Sequence, residues 1–72
     1  MMNIYAKDGD WVVVTKESIE NGTIADKEHA KKNLRVGQIY TVHRTEVASW
    51  SSRVYLKEFP LTSFNTVNFK DA

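Results

Sequence analysis

The chain has 72 residues, of which 26% are charged, with a net charge of +1 and no cysteine. That length holds one small domain of thin stability margin, because so short a chain buries only about 60% of its unfolded surface. The composition excludes disulfides, thiol chemistry and cysteine-based zinc sites, gives no bulk electrostatic pull toward nucleic acid, and offers no apolar stretch long enough for a membrane span.

Residues 1–10 (MMNIYAKDGD) lack the basic start and apolar run of a signal peptide, which together with the missing cysteines fits a reducing cytoplasm. The turn pair Asp8-Gly9 leads into a strand over residues 10–15 (DWVVVT). There Val12 and Val14 share one face, and Trp11, Val13 and Thr15 the other. Residues 16–34 form a long polar connection. Asn21-Gly22 marks a turn, and Thr23 and Asp26 have the spacing of a capping box. The run ADKEHAKKNL contains good helix formers, with Glu28 and Lys32 in the favourable i,i+4 order. Its apolar stripe of Ile24, Ala30 and Leu34 is thin, so the sequence predicts one or two helical turns anchored by Leu34.

Gly37 permits a tight turn into a long strand, where Tyr40 and Val42 alternate with Ile39, Thr41 and His43. The polar turn cluster at residues 49–52 (SWSS) contains Trp50, a residue out of character there. The following strand places Val54 and Leu56 on one face and Tyr55, Lys57 and Phe59 on the other. Pro60 has no N–H to donate and predicts the end of that strand. LTSFN then reads as a single 3₁₀ turn, and TVNF as a closing strand with Val67 and Phe69 on one face.

The segment 59–69 carries no charged residue and all three phenylalanines. A domain this small has few large apolar side chains to display, so the segment reads as core. Phe59, Leu61, Phe64, Val67 and Phe69 are expected to close a barrel over Val12, Val14, Tyr40, Val42, Val54 and Leu56. Several short strands with tight turns predict a mainly β single domain spanning residues 1–72, a small barrel of about five short strands that covers its own edges.

The succession WVVVT, long loop, LRVGQIYTV, RVYLKEFP and FNTVNF resembles short SH3-like β-barrel proteins of bacteriophages and prophages. The resemblance covers roughly residues 10–69. It rests on Leu34, Gly37 and Tyr40 before the central strand, Leu56 and Glu58 before the proline, and the closing phenylalanines. It implies an SH3-like barrel with a long loop, carrying one short helix, after the first strand. It also implies a small phage accessory factor that blocks or redirects a host protein in the bacterial cytoplasm. It implies no site residues, and the helix in the long loop departs from a barrel with an SH3-type peptide groove.

The residues give little support to catalysis. Neither a nucleophile motif nor a phosphate-binding glycine loop is present. His29 reads as a solvated helix residue and His43 as a half-exposed strand residue. Asp26 and His29 at i,i+3 supply two metal ligands where three or four are needed. No enzyme, catalytic residue, metal or cofactor is therefore expected. Two binding readings remain. In the first, Trp11, Trp50 and Tyr55, with Arg53, anchor a protein partner. Trp50 is then either an exposed anchor or a plug over the barrel end, and an edge at residues 11–15 offers β-augmentation or a homodimer. In the second, the basic cluster Lys27, Lys31, Lys32 and Arg35, together with Arg44, binds nucleic acid beside the same aromatics. Against this stands an ordinary solvated helix face, partly neutralised by Glu28.

Overall fold

The computed structural model describes all 72 residues. Five antiparallel strands form a sheet in the order β4-β3-β2-β1-β5. They are β1 (Trp11–Val13), β2 (Ile39–Glu46), β3 (Arg53–Leu56), β4 (Phe59–Asn65) and β5 (Lys70–Asp71). One helix, α1 (Ile24–Asn33), lies between β1 and β2, and 3₁₀ turns occupy Ser18–Glu20 and Thr66–Asn68. The sheet wraps into a barrel-like body measuring 27 × 26 × 21 Å. This is the mainly β architecture that the sequence predicts, with the helix where the long loop places it. No helix is long and apolar enough to cross a membrane.

The first strand is not an edge. Its residues pair with β2 (Trp11 opposite Thr41, Val13 opposite Ile39) and with β5 (Val12 opposite Asp71, Val13 opposite Lys70). The expected β-augmentation or homodimer through residues 11–15 is therefore corrected at Trp11–Val13, whose two sides are both taken. A bulge in β2 sets the exposure of the basic strand residues. Val42 pairs with Leu56 but Arg44 with Tyr55, so His43 is the extra residue and the alternation changes phase. Arg44 thus shares a face with Tyr55 instead of entering the core behind Val42.

Pro60 interrupts a ladder without ending its strand. Leu56 pairs with Phe59 and the adjacent Tyr55 with Ser63, leaving residues 60–62 bulged out of register. A residue with no donor N–H belongs at such a bulge. The bulge carries Leu61 to the outside, 98% exposed, which corrects its expected place in the core. It also lets Phe59 and Phe64 both turn inward despite their opposite parity. LTSFN is therefore strand in place of the predicted 3₁₀ turn, the turn instead occupies Thr66–Asn68 where the closing strand TVNF was expected, and the last strand is Lys70–Asp71.

The core gathers the inward residues of β1, β2 and β3 around Phe64, whose ring meets Phe59 and Phe69 edge-on at centroid distances of 5.6 and 6.0 Å. Val12, Val14, Tyr40, Val42, Val54, Leu56, Phe64 and Phe69 are buried as expected, while Phe59 and Val67 are half-buried. Met2, Ala6 and Ile19 join the core without having been anticipated.

Helix α1 runs for ten residues, longer than the one or two turns expected. Its N-terminus is the predicted capping box: Thr23 Oγ1 accepts from the Asp26 N–H at 3.1 Å, and Asp26 Oδ2 accepts from the Thr23 N–H at 3.2 Å. Ile24 is exposed, and the face that docks carries Ala30 and three polar residues: Asp26, His29 and Asn33. The expectation of a solvated His29 is corrected here. Its ring stacks on Phe64 at 4.5 Å. Nε2 donates to the Ser63 carbonyl at 3.1 Å and also meets Thr62 Oγ1, while Nδ1 accepts from the Asn33 amide at 3.2 Å. A carbonyl can only accept, which puts the ring proton on Nε2. Elsewhere the fully buried Asn68 ties the long loop down, its amide donating to the carbonyls of Ser18 and Asn21 at 3.1 and 3.0 Å.

Candidate functional site

The largest concavity is a cleft of about 570 Å³. Three separate stretches of chain form its walls: Gly22, Thr23 and Asp26 around the start of α1, residues 48–52 from the β2–β3 loop, and Asn65, Thr66 and Val67 where β4 runs into the 3₁₀ turn. Met1 and Ile4 complete the rim. Trp50 stands in the middle of the β2–β3 loop, 99% exposed. The loop is fastened at its base, where Ser52 is buried and its carbonyl accepts from the Thr66 N–H at 3.0 Å. The plug reading of Trp50 therefore fails, and the indole is a displayed group on an anchored loop.

The cleft floor is polar, and the Met1 terminus lies at its rim. Its only charged side chain, Asp26, accepts from Arg53 Nη1 at 3.1 Å and from the Asn65 amide at 2.9 Å. Burial pushes the Asp26 carboxyl up, but the hydrogen bonds from Asn65, the Thr23 backbone and Arg53 outweigh it and hold the group below the ordinary carboxylate value. Arg53 is fixed further by Ser63, through its hydroxyl at 3.2 Å and its carbonyl at 3.0 Å. The guanidinium thus links α1, β3 and β4 and is committed within the fold.

The other candidate residues lie apart from the cleft. Trp11 is opposite Thr41, near the start of β2, while Trp50 follows its far end. Trp11 is 63% exposed beside a shallow hollow of about 250 Å³. Tyr55 is half-buried beneath Arg44, whose Cζ lies 4.0 Å from the ring centroid. The four residues expected to anchor a protein partner, Trp11, Trp50, Tyr55 and Arg53, therefore do not form one site. Only Trp50 combines full exposure with an adjoining cavity.

The basic cluster is divided as well. Lys31 and Lys27 both reach Glu20, at 2.7 and 3.7 Å, and Lys31 draws the Glu20 carboxyl down. Arg44 pairs with Glu46 at 3.2 Å, which raises its guanidinium further. Lys32 and Arg35 make no ion pair and are exposed. No lysine or arginine lines the cleft beside Trp50. Asp26 and His29, the pair weighed as metal ligands, are each engaged by hydrogen bonds to other groups of the fold.

The sequence drew attention to Trp50 but not to Asn65, Thr66, Met1 or Ile4, which build the cavity. The one signal was the Thr23–Asp26 capping box, which placed a carboxylate at the start of α1. No curated protein and no solved structure matches the chain. The family model for Bacteriophage T4 protein Y07B matches residues 3–71, nearly the whole chain, and the chain belongs to that bacteriophage family.

Proposed function

We propose that this phage protein is a non-enzymatic SH3-like binding module, an accessory factor that takes hold of a host protein in the bacterial cytoplasm and blocks or redirects it. The observation that carries the reading is the fully exposed Trp50 at the rim of a 570 Å³ cleft whose single charged side chain is neutralised internally. Soluble domains seldom leave a tryptophan unburied, and tryptophan is enriched among residues that dominate interfaces. The cleft lies in the range of ligand-binding pockets and mixes apolar walls with a few fixed polar groups. Trp50 and the cleft are the anchor, and Tyr55 and Arg53 serve the fold. A factor that acts by covering a surface needs shape complementarity and no chemistry.

The test is affinity capture from host lysate with the parent and Trp50→Ala, each with and without nuclease. The expected result is a discrete host protein held by the parent after nuclease and lost from the variant. Retention that disappears with nuclease and depends on Lys32 and Arg35 overturns the reading in favour of nucleic acid.

A further inference from the structure

We propose that Asn21 is a site of self-modification: its side-chain amide is lost by deamidation, and the aspartate or isoaspartate left behind unfastens the long loop from the Thr66–Asn68 turn. Asn21 and Gly22 are the one Asn-Gly pair in the chain. The other four asparagines precede Ile4, Leu34, Thr66 and Phe69, whose side chains crowd the next backbone nitrogen.

The reaction needs only water. The Gly22 nitrogen gives its proton to hydroxide and attacks Asn21 Cγ. The bond from Cγ to Nδ2 breaks, and the nitrogen takes a proton from water and leaves as ammonia. A cyclic succinimide remains, which water opens at either carbonyl. Opening at Cγ gives aspartate. Opening at the main-chain carbonyl gives isoaspartate, in which the backbone runs through Cγ and is one carbon longer. The fold leaves the nucleophile free. Gly22 is exposed and has no side chain, and its N–H donates to no backbone carbonyl. Asn21 is exposed beside it, open to the water that completes the reaction.

The fold also holds the reaction back. Asn21 is extended, with φ −82° and ψ 164°, and ψ must turn before Cγ can face the Gly22 nitrogen. Nδ2 donates to the Val67 carbonyl at 3.2 Å, and the Asn21 carbonyl accepts from the Asn68 amide at 3.0 Å. The loop therefore lets go before it reacts, and exposed segments open more often than the core. Deamidation makes the release permanent. A carboxylate in place of the amide meets the Val67 carbonyl with two acceptors and no donor. It also brings a negative charge beside Gly22, where a Cβ would stand 3.0 Å from Asp26 Oδ2. Gly22, Asp26 and Val67 all line the cleft, so the cleft wall changes charge as the protein ages.

The test is warm incubation of the full chain at neutral and mildly alkaline pH, followed by peptide mass spectrometry. The peptide holding Asn21 should gain the mass that separates an acid from an amide and should split chromatographically into aspartate and isoaspartate forms. The rate should rise with pH, because the attacking nitrogen must lose its proton. It should be slower in the folded protein than in guanidinium. Asn68→Ala, which frees the Asn21 carbonyl, should speed the conversion about fivefold, as the loss of one hydrogen bond allows. Asn21→Asp is a fixed copy of one product and should melt about 2–8 °C below the parent. No conversion at Asn21 overturns the proposal, and so does faster conversion at another asparagine. Equal rates in buffer and in guanidinium overturn it without recourse to any variant. An Asn21→Asp chain that melts with the parent overturns the release of the loop. None of these readouts needs a partner, so they stand or fall apart from host capture.

Discussion

Asp26 shows how much of this small protein hangs on one carboxylate. It caps α1 through Thr23 and holds Arg53 and Asn65, so one side chain ties the helix to β3 and β4. Asp26→Ala leaves a half-buried guanidinium without its partner and should cost about 3 kcal/mol, measured by urea unfolding at neutral pH. Its depressed pKa also fixes the sign of the acid response. In the unfolded chain the carboxyl takes up protons more readily, so its contribution is complete above about pH 5. That contribution is lost as pH falls through the ordinary carboxylate range to the lower folded value. Asp26→Asn should flatten this loss between about pH 5 and 3. Moderate salt keeps the exposed Asp8–Lys57 and Glu20–Lys31 pairs from masking the effect. Trp50 sits at the other extreme. With its side chain wholly in solvent, Trp50→Ala should change stability by no more than about 0.5 kcal/mol. The sequence pointed to Trp50 because an indole among serines breaks the pattern of a turn. It gave no sign of His29, because a histidine stacked on phenylalanine and one in water look alike in a polar run.

At the scale of elements, the hydrophobic pattern was readable where side chains pack and silent where polar groups do the joining. The alternation in β1, β2 and β3 marked the buried residues correctly. Helix α1 defeats the same test because it docks through Asp26, His29 and Asn33, whose hydrogen bonds replace an apolar stripe. Its start was legible only because a capping box is itself a hydrogen-bond pattern. The 3₁₀ turn lies at Thr66–Asn68, beyond the place a stop at Pro60 predicts, because β4 continues past the proline. Proline forbids one ladder bond, and a strand can bulge past it. Asn68 is the clearest case of polar joining. Asn68→Ala removes the donor that serves the Ser18 and Asn21 carbonyls and should cost about 1–2 kcal/mol, because the Ser18 carbonyl keeps its bond from the Asn21 N–H and the Asn21 carbonyl belongs to an exposed residue. Thermal melts of Asn68→Ala beside Thr23→Ala, whose lost cap should cost about 1 kcal/mol, will rank the two joints.

The whole molecule has one core and little margin. Leu56→Ala and Phe64→Ala should each cost about 2–5 kcal/mol, a large share of the stability available to so small a domain. Leu61→Ala, at the crest of the Pro60 bulge, should melt within a degree or two of the parent. Differential scanning calorimetry of the three variants therefore distinguishes the observed core from the one the alternation alone predicts. The sheet ends are protected. On β4, Pro60 offers no donor, and the Ser63 carbonyl is taken by His29 and Arg53. On the other side β5 is only two residues long, both charged. Protected edges discourage pairing with a further strand on either side of the sheet. The fold class was legible because burial, turns and alternation all point one way in a barrel. The cleft was not, because its walls come from three stretches that only the completed fold brings together.

The contact between Met2 and Phe69 bears on how the protein is made. The Met2 N–H donates to the Phe69 carbonyl at 2.9 Å, the Asn3 N–H donates to Asp71 Oδ1 at 2.9 Å, and β1 lies against β5. A ribosome delivers Met2 and Val12 early and their partners last, after roughly 4–14 s of synthesis at ordinary elongation rates. Until residues 69–71 are made, Val12 and Val13 have β2 on one side and no strand on the other, and the core lacks Phe69. Closure of the barrel must therefore await residues 69–71, and a chain cut back to end at Asn68 should be protease-sensitive and bind a hydrophobic dye that the full 72 residues ignore.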